Sequence, residues 1–89
     1  MPITFDAAKR KKTFAERGLD MAQAGDVFGG REITIKDIRR DYGEDRFITF
    51  GRLKGRLVVL VWTPRDGGKR IISMRKANDR EEKTYGSVV

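Results

Sequence analysis

Between Arg56 and Thr63 the chain reads RLVVLVWT, apolar at every position from Leu57 to Trp62. That is the pattern of a strand covered on both faces. RFITF (46–50) and KRIISMR (69–75) flank it, rich in β-branched and aromatic residues and set off by GRLKG and PRDGG. Both connections are short and carry the Gly and Asp that tight turns use. Three strands are therefore predicted, running as an antiparallel meander with 56–63 at its centre.

Upstream the pattern becomes helical. After an extended start at Ile3 and Phe5, Asp6 can cap a helix over 7–17 with Ala7, Ala8, Phe14 and Ala15 as its apolar positions and Gly18 as its stop. Asp20 with Gln23 makes a capping-box pattern before Met21, Ala24, Val27 and Phe28, which follow at helical spacing up to Gly29-Gly30. EITI (32–35) can form a short strand, and KDIRRDYGED reads as a loop or irregular connection. Asn78 and Glu81 form another capping box, opening a short polar helix that reaches about Tyr85. The whole predicts one α+β domain over 1–89: two N-terminal helices packed on one face of a mostly antiparallel sheet, and a short C-terminal helix. The other sheet face is expected to be free.

Charge gives that free face a character. Lys and Arg number 20 against 13 Asp and Glu, a net charge of +7, beside 38% apolar residues, enough for a core. Between Arg46 and Lys76, the stretch read as sheet, nine cations face one acid, Asp66. A polyanion is the natural partner of such a surface. The chain has no Cys and no His, which excludes thiolate nucleophiles, disulfides, Cys or His zinc sites and imidazole acid-base chemistry. Asp41, Glu44 and Asp45 lack a second pair of acids elsewhere, so neither a metal site nor a cofactor is expected. No apolar run approaches the roughly 20 residues of a membrane span and the N-terminus lacks signal-peptide order, so the cytoplasm is the expected location.

Within 69–75 the two-residue period puts Ile71, Ser73 and Arg75 on one face and Arg70, Ile72 and Met74 on the other. With Ile72 and Met74 turned to the helices, Ser73 and Arg75 would stand on the open face, where a guanidinium can grip phosphate with two hydrogen bonds. Glu44 and Arg46, at the entry to the first meander strand, form a second pair with a brace or general base as its functional reading. Lys9 sits in the basic run of the first helix. Trp62 fits the core of a central strand, whereas the hydroxyl of Tyr85 on a polar terminal helix is free to act or bind.

Several motifs resemble one family across nearly the whole chain: FDxxK (Phe5, Asp6, Lys9), Gly18, AxxVF (Ala24, Val27, Phe28), GExR (Gly43, Glu44, Arg46), Gly51, LVVxVxTxR (Leu57 to Arg65) and RIISxRxAxxxExxxY (Arg70 to Tyr85). Together they are similar to the BrnT toxins of bacterial type II toxin-antitoxin systems. The resemblance implies a RelE-like fold and an endoribonuclease that arrests translation. It also implies a ribbon-helix-helix antitoxin of the BrnA type as partner, with operator DNA bound only through the complex. By position it implies a catalytic set of Lys9, Glu44, Arg46, Arg65, Ser73, Arg75 and Tyr85. Arg52, Lys54, Arg56, Lys69, Arg70 and Lys76 are the remaining cations read as RNA-binding. The chain departs from the family's common KHG in having Glu16-Arg17-Gly18, with a permanently charged Arg17 where relatives carry His, and has Thr13 where they carry Asn.

RNA cleavage without a metal can use the substrate's own 2′-hydroxyl, so cations that neutralise the developing phosphate charge suffice alongside a proton-transfer group. Arg75 and Arg65 are read as gripping the phosphate, Arg46 as assisting, and Glu44 or Lys9 as base. A non-catalytic nucleic-acid-binding module and a pure interaction protein that receives a partner on its sheet are the alternatives.

Overall fold

Two turns set the centre of the sheet. Lys54-Gly55 and Asp66-Gly67 have φ values of 51° and 79°, and 52° and 75°, the left-handed pair that a type I′ hairpin needs and that Gly supplies without strain. They join β3 (Phe47–Leu53), β4 (Arg56–Arg65) and β5 (Gly68–Lys76) through two-residue loops, with Leu53 opposite Arg56 and Arg65 opposite Gly68. The strands are thus longer, and the turns tighter, than the sequence pattern indicated.

The computed structural model describes residues 2–89. Its five-stranded sheet has the order β1-β5-β4-β3-β2. β1 (Ile3–Phe5) pairs parallel with β5, and β2 (Glu32–Lys36) pairs antiparallel with β3, so the sheet is mostly antiparallel. α1 (Ala7–Arg17) is capped by the Asp6 carboxylate, which accepts from the Ala8 and Lys9 amides, and ends at Gly18 with φ 69°. A 3-10 turn (Met21–Gln23) leads into α2 (Ala24–Phe28), and α3 (Asp79–Tyr85) begins with the full Asn78–Glu81 capping box. The architecture is α+β.

The main core lies on one sheet face, where Leu19, Met21, Ala24 and Val27 pack on Leu53, Val58, Leu60, Ile71 and Met74. Its cover comes chiefly from the segment Leu19 to Val27. α1 buries only Thr13, and Phe14, counted among its apolar positions in the sequence reading, is 59% exposed. The first helix lies along the β5 edge, where the Arg17 Nη1 donates to the Met74 carbonyl at 2.9 Å. Close seating of α2 depends on Gly51, since a Cβ there would stand 2.7 Å from Val27 Cγ1.

Two expectations need correction. Strict alternation in β5 fails at a bulge: Val61 faces Ser73 and the next residue, Trp62, faces Ile71, leaving Ile72 without an opposite. Ile71 therefore joins Met74 in the helix-side core, and Ile72 is half-buried beside α1. The second sheet face is also not wholly free. Phe50, Leu57 and Val59 form a smaller core there, covered by Ala77, Tyr85 and Val89 from α3 and its flanks.

Candidate nucleic-acid interface

Side chains opposite one another on paired antiparallel strands share a face, so the register sorts the candidate residues. With Leu60 and Trp62 turned to the main core, Val59, Val61, Thr63 and Arg65 of β4 project to the second face. Arg75, Ser73 and Arg70 stand opposite Val59, Val61 and Thr63. Ser73 and Arg75 share that side by plain alternation, and the bulge brings Arg70 onto it as well. α3 occupies the Phe50–Leu57 end, and the stretch from Ser73 towards Arg65 is left uncovered by any helix.

At one end of this stretch, Arg75 is held end-on by Glu81, its Nη1 and Nη2 donating to the two carboxylate oxygens at 2.7 and 2.8 Å. The interaction keeps the Glu81 carboxyl below its ordinary pKa and raises that of Arg75, so both stay charged. Around the β5 edge, Ser73 lines a shallow cleft of about 190 Å³ with Lys9, Thr13 and Arg17 of α1. Lys9 and Ser73 thus line one cleft across that edge, and Arg17 spends part of its guanidinium on the strand's own backbone.

At the other end, Glu44 links two cations, accepting from Arg46 Nε at 3.2 Å and Arg65 Nη2 at 3.3 Å. The Arg46 guanidinium also lies over the Tyr42 ring, 4.0 Å from its centroid. These pairs are partly exposed, and such pairs contribute little stability; their effect is on direction. Arg65 stands six residues along β4 from the partner of Arg75, about 20 Å at strand rise. A single phosphate cannot meet both, whereas a short run of single-stranded nucleic acid can.

The segment between β2 and β3, irregular as its sequence indicates, is organised around one buried carboxylate beside the Arg46 end. Asp37, 5% exposed, accepts from Arg39 Nε and Nη2 at 2.8 Å each and from the Tyr42 hydroxyl at 3.2 Å. Its own amide donates to the Arg46 carbonyl at 2.8 Å. The two Arg39 hydrogen bonds, followed by the Arg39 amide and the Tyr42 hydroxyl, hold the Asp37 carboxyl well below the usual carboxylate range. This network presents the cations Arg39 and Arg46, and it is fixed by contacts across two to nine residues of irregular backbone that carry no periodicity.

The other candidates are spread more widely than a single cationic face. Arg52 is bound to the end of α3, donating to the Gly86 carbonyl at 2.6 Å and to Glu82 at 3.3 Å. Lys54 sits at a hairpin tip. By register Arg56, Lys69 and Lys76 lie on the helix side, opposite or beside Leu53, Trp62 and Val58, and the Lys69 ammonium lies 4.8 and 4.9 Å from the Phe28 and Trp62 ring centroids. Of that group Arg70 and Arg52 share the second face, Arg52 at the end that α3 covers. Tyr85 stacks on Phe50 with centroids 4.0 Å apart, so its ring serves packing, and Trp62 joins the main core, donating to Thr49 Oγ1 at 2.8 Å.

The arrangement offers a cationic strip with a hydroxyl and a lysine at one end, chemistry suited to a polyanion. A search of curated proteins found no match. A family described as "Ribonuclease toxin, BrnT, of type II toxin-antitoxin system" has a model that matches residues 5–81, a span that takes in every candidate discussed here except Tyr85. With well over half of the 89 residues matched, the chain belongs to the BrnT family of ribonuclease toxins of type II toxin-antitoxin systems.

Proposed function

We propose that this chain is a metal-independent, RelE-like endoribonuclease that cuts RNA beside Ser73 and Arg75 and so arrests translation. The observation that carries the reading is the pairing of an oriented guanidinium with a hydroxyl two residues away on an uncovered part of the sheet, with Lys9 across the strand edge. In this reading the RNA 2′-oxygen forms a bond to the neighbouring phosphorus while the bond to the 5′-oxygen breaks. Arg75 takes up the charge that develops on the phosphate and Ser73 hydrogen-bonds it. Lys9 moves protons between the attacking and leaving oxygens. Arg46 and Arg65, held by Glu44, bind a flanking phosphate, with Arg70 on the same face. The spacing of Arg65 and Arg75 assigns them to different phosphates of one strand.

A metal-free reaction is this reading's expectation from a chain that has neither His nor Cys. The partner in this reading is a ribbon-helix-helix antitoxin of the BrnA type, operator DNA is reached only through that complex, and the site of action is the cytoplasm. No described helix is long and apolar enough to cross a membrane. The test is the chemistry of the cut ends. Purified protein incubated with RNA in EDTA should still cut and leave 2′,3′-cyclic phosphate and 5′-hydroxyl ends. Cutting abolished by EDTA, or 5′-phosphate ends, would contradict the mechanism. Salt-sensitive binding with intact RNA would favour a non-catalytic nucleic-acid-binding module.

A further inference from the structure

An arginine has five N–H donors arranged as two usable edges, an end formed by Nη1 and Nη2 and a side formed by Nε and Nη2. Arg39 spends its side edge on Asp37, and Arg46 spends Nε on Glu44. Arg75 is gripped differently. Its end edge enters Glu81, Nη1 also lies 3.4 Å from the Lys76 carbonyl, and among the described residues no acceptor meets Nε. The edge left over is the one that can take two oxygens of a phosphate side-on.

Glu81 is itself fixed. Its Oε1 accepts from the Asn78 amide at 2.9 Å, its own amide donates to Asn78 Oδ1 at 2.8 Å, and its side chain is 16% exposed. A carboxylate anchored to the helix cap through the Asn78 amide holds the end of a long side chain that is itself 42% exposed. Arg75 has no other side-chain partner among the described residues. The first turn of α3 is therefore tied, through a single carboxylate, to the direction in which Arg75 points.

We infer that Glu81 is a positioning residue, which directs the Nε edge of Arg75 to the scissile phosphate through its place in the α3 capping box. The inference rests on the proposed ribonuclease reading. It predicts a specific kinetic signature. Removing the carboxylate charge frees Arg75 to rotate and also makes the surface more positive, so turnover falls while affinity for a polyanion stays the same or rises.

Glu81→Gln is the variant of choice, because Gln also serves at this capping-box position and keeps the helix start. For the purified full-length chain acting on a short RNA, kcat should fall on the order of tenfold or more with KM unchanged or lower and with wild-type circular dichroism. The Arg75 Nε–H NMR signal, sharp in the wild type, should become motionally averaged. In an Arg75→Lys background, which cannot make the fork, Glu81→Gln should have no further effect. Wild-type kcat in Glu81→Gln, or an equal loss in both backgrounds, overturns the positioning role. An unchanged Arg75 signal in Glu81→Gln also overturns it, even if that variant is too unstable for kinetics. Full activity in Arg75→Lys and Arg75→Ala instead overturns the ribonuclease reading beneath it.

Discussion

Asp37 shows how one side chain organises a stretch with no regular structure. Nearly all of its surface is covered, and it accepts hydrogen bonds from a guanidinium, an amide and a phenol. A carboxyl whose pKa is depressed on folding stabilises the fold fully above its unfolded value, here 3.8, and loses that contribution as pH falls through the lower folded value. Asp37→Asn should therefore be less stable than the wild type at neutral pH, and the difference in denaturation midpoint should shrink as pH drops below about 3.8; a difference independent of pH would show that the ion pair does not hold the segment. Tyr85 poses the opposite question, of ring against hydroxyl. Since the ring stacks on Phe50, Tyr85→Phe should keep both stability and RNA cutting, whereas Tyr85→Ala should lose roughly 2 kcal/mol in chemical denaturation. A large loss of cutting in Tyr85→Phe would return the hydroxyl to the reaction.

Among the elements, the seat of α2 on β3 is the tightest fit. Gly51→Ala pushes a methyl into Val27, and overpacking of this kind costs about 1–3 kcal/mol; a urea midpoint equal to the wild type would show that α2 shifts freely. The elements with local causes were legible in the sequence: the capped helices at Asp6 and Asn78, the three central strands and their Gly-containing turns. What was not legible depends on contacts between elements. The bulge at Ile72 arises where β5 must pair with β4 and also face α1, and nothing in KRIISMR marks it. α3, too polar to be a large part of the core, buries none of its residues fully, and its one aromatic with the flanking Ala77 and Val89 covers only the small cluster on Phe50. The Ser73–Arg75 pair was found by alternation because the bulge lies just before both. Asp37, Arg39 and the grip of Glu81 on Arg75 were missed, since each depends on how irregular backbone or a strand-helix junction folds.

Over the whole molecule, the cations behind a net charge of +7 are divided between the proposed RNA-binding strip and positions elsewhere on the fold. Affinity for RNA should fall linearly with log salt, with a slope that counts phosphate contacts. Removing a cation on the strip, Arg46→Ala or Arg65→Ala, should lower that slope by about one, and Arg56→Ala on the helix side should leave it unchanged. Equal effects from all three would mean that the charge acts as a diffuse cloud. The central claim is narrower: RNA is cut where Arg75 points. The most direct measurement is cleavage of a defined RNA by purified Arg75→Ala beside the wild type, with antitoxin binding measured on the same samples. Antitoxin binding should persist while cleavage falls at least a hundredfold, the scale of losing a preorganised donor to the developing charge; undiminished cleavage would contradict the account.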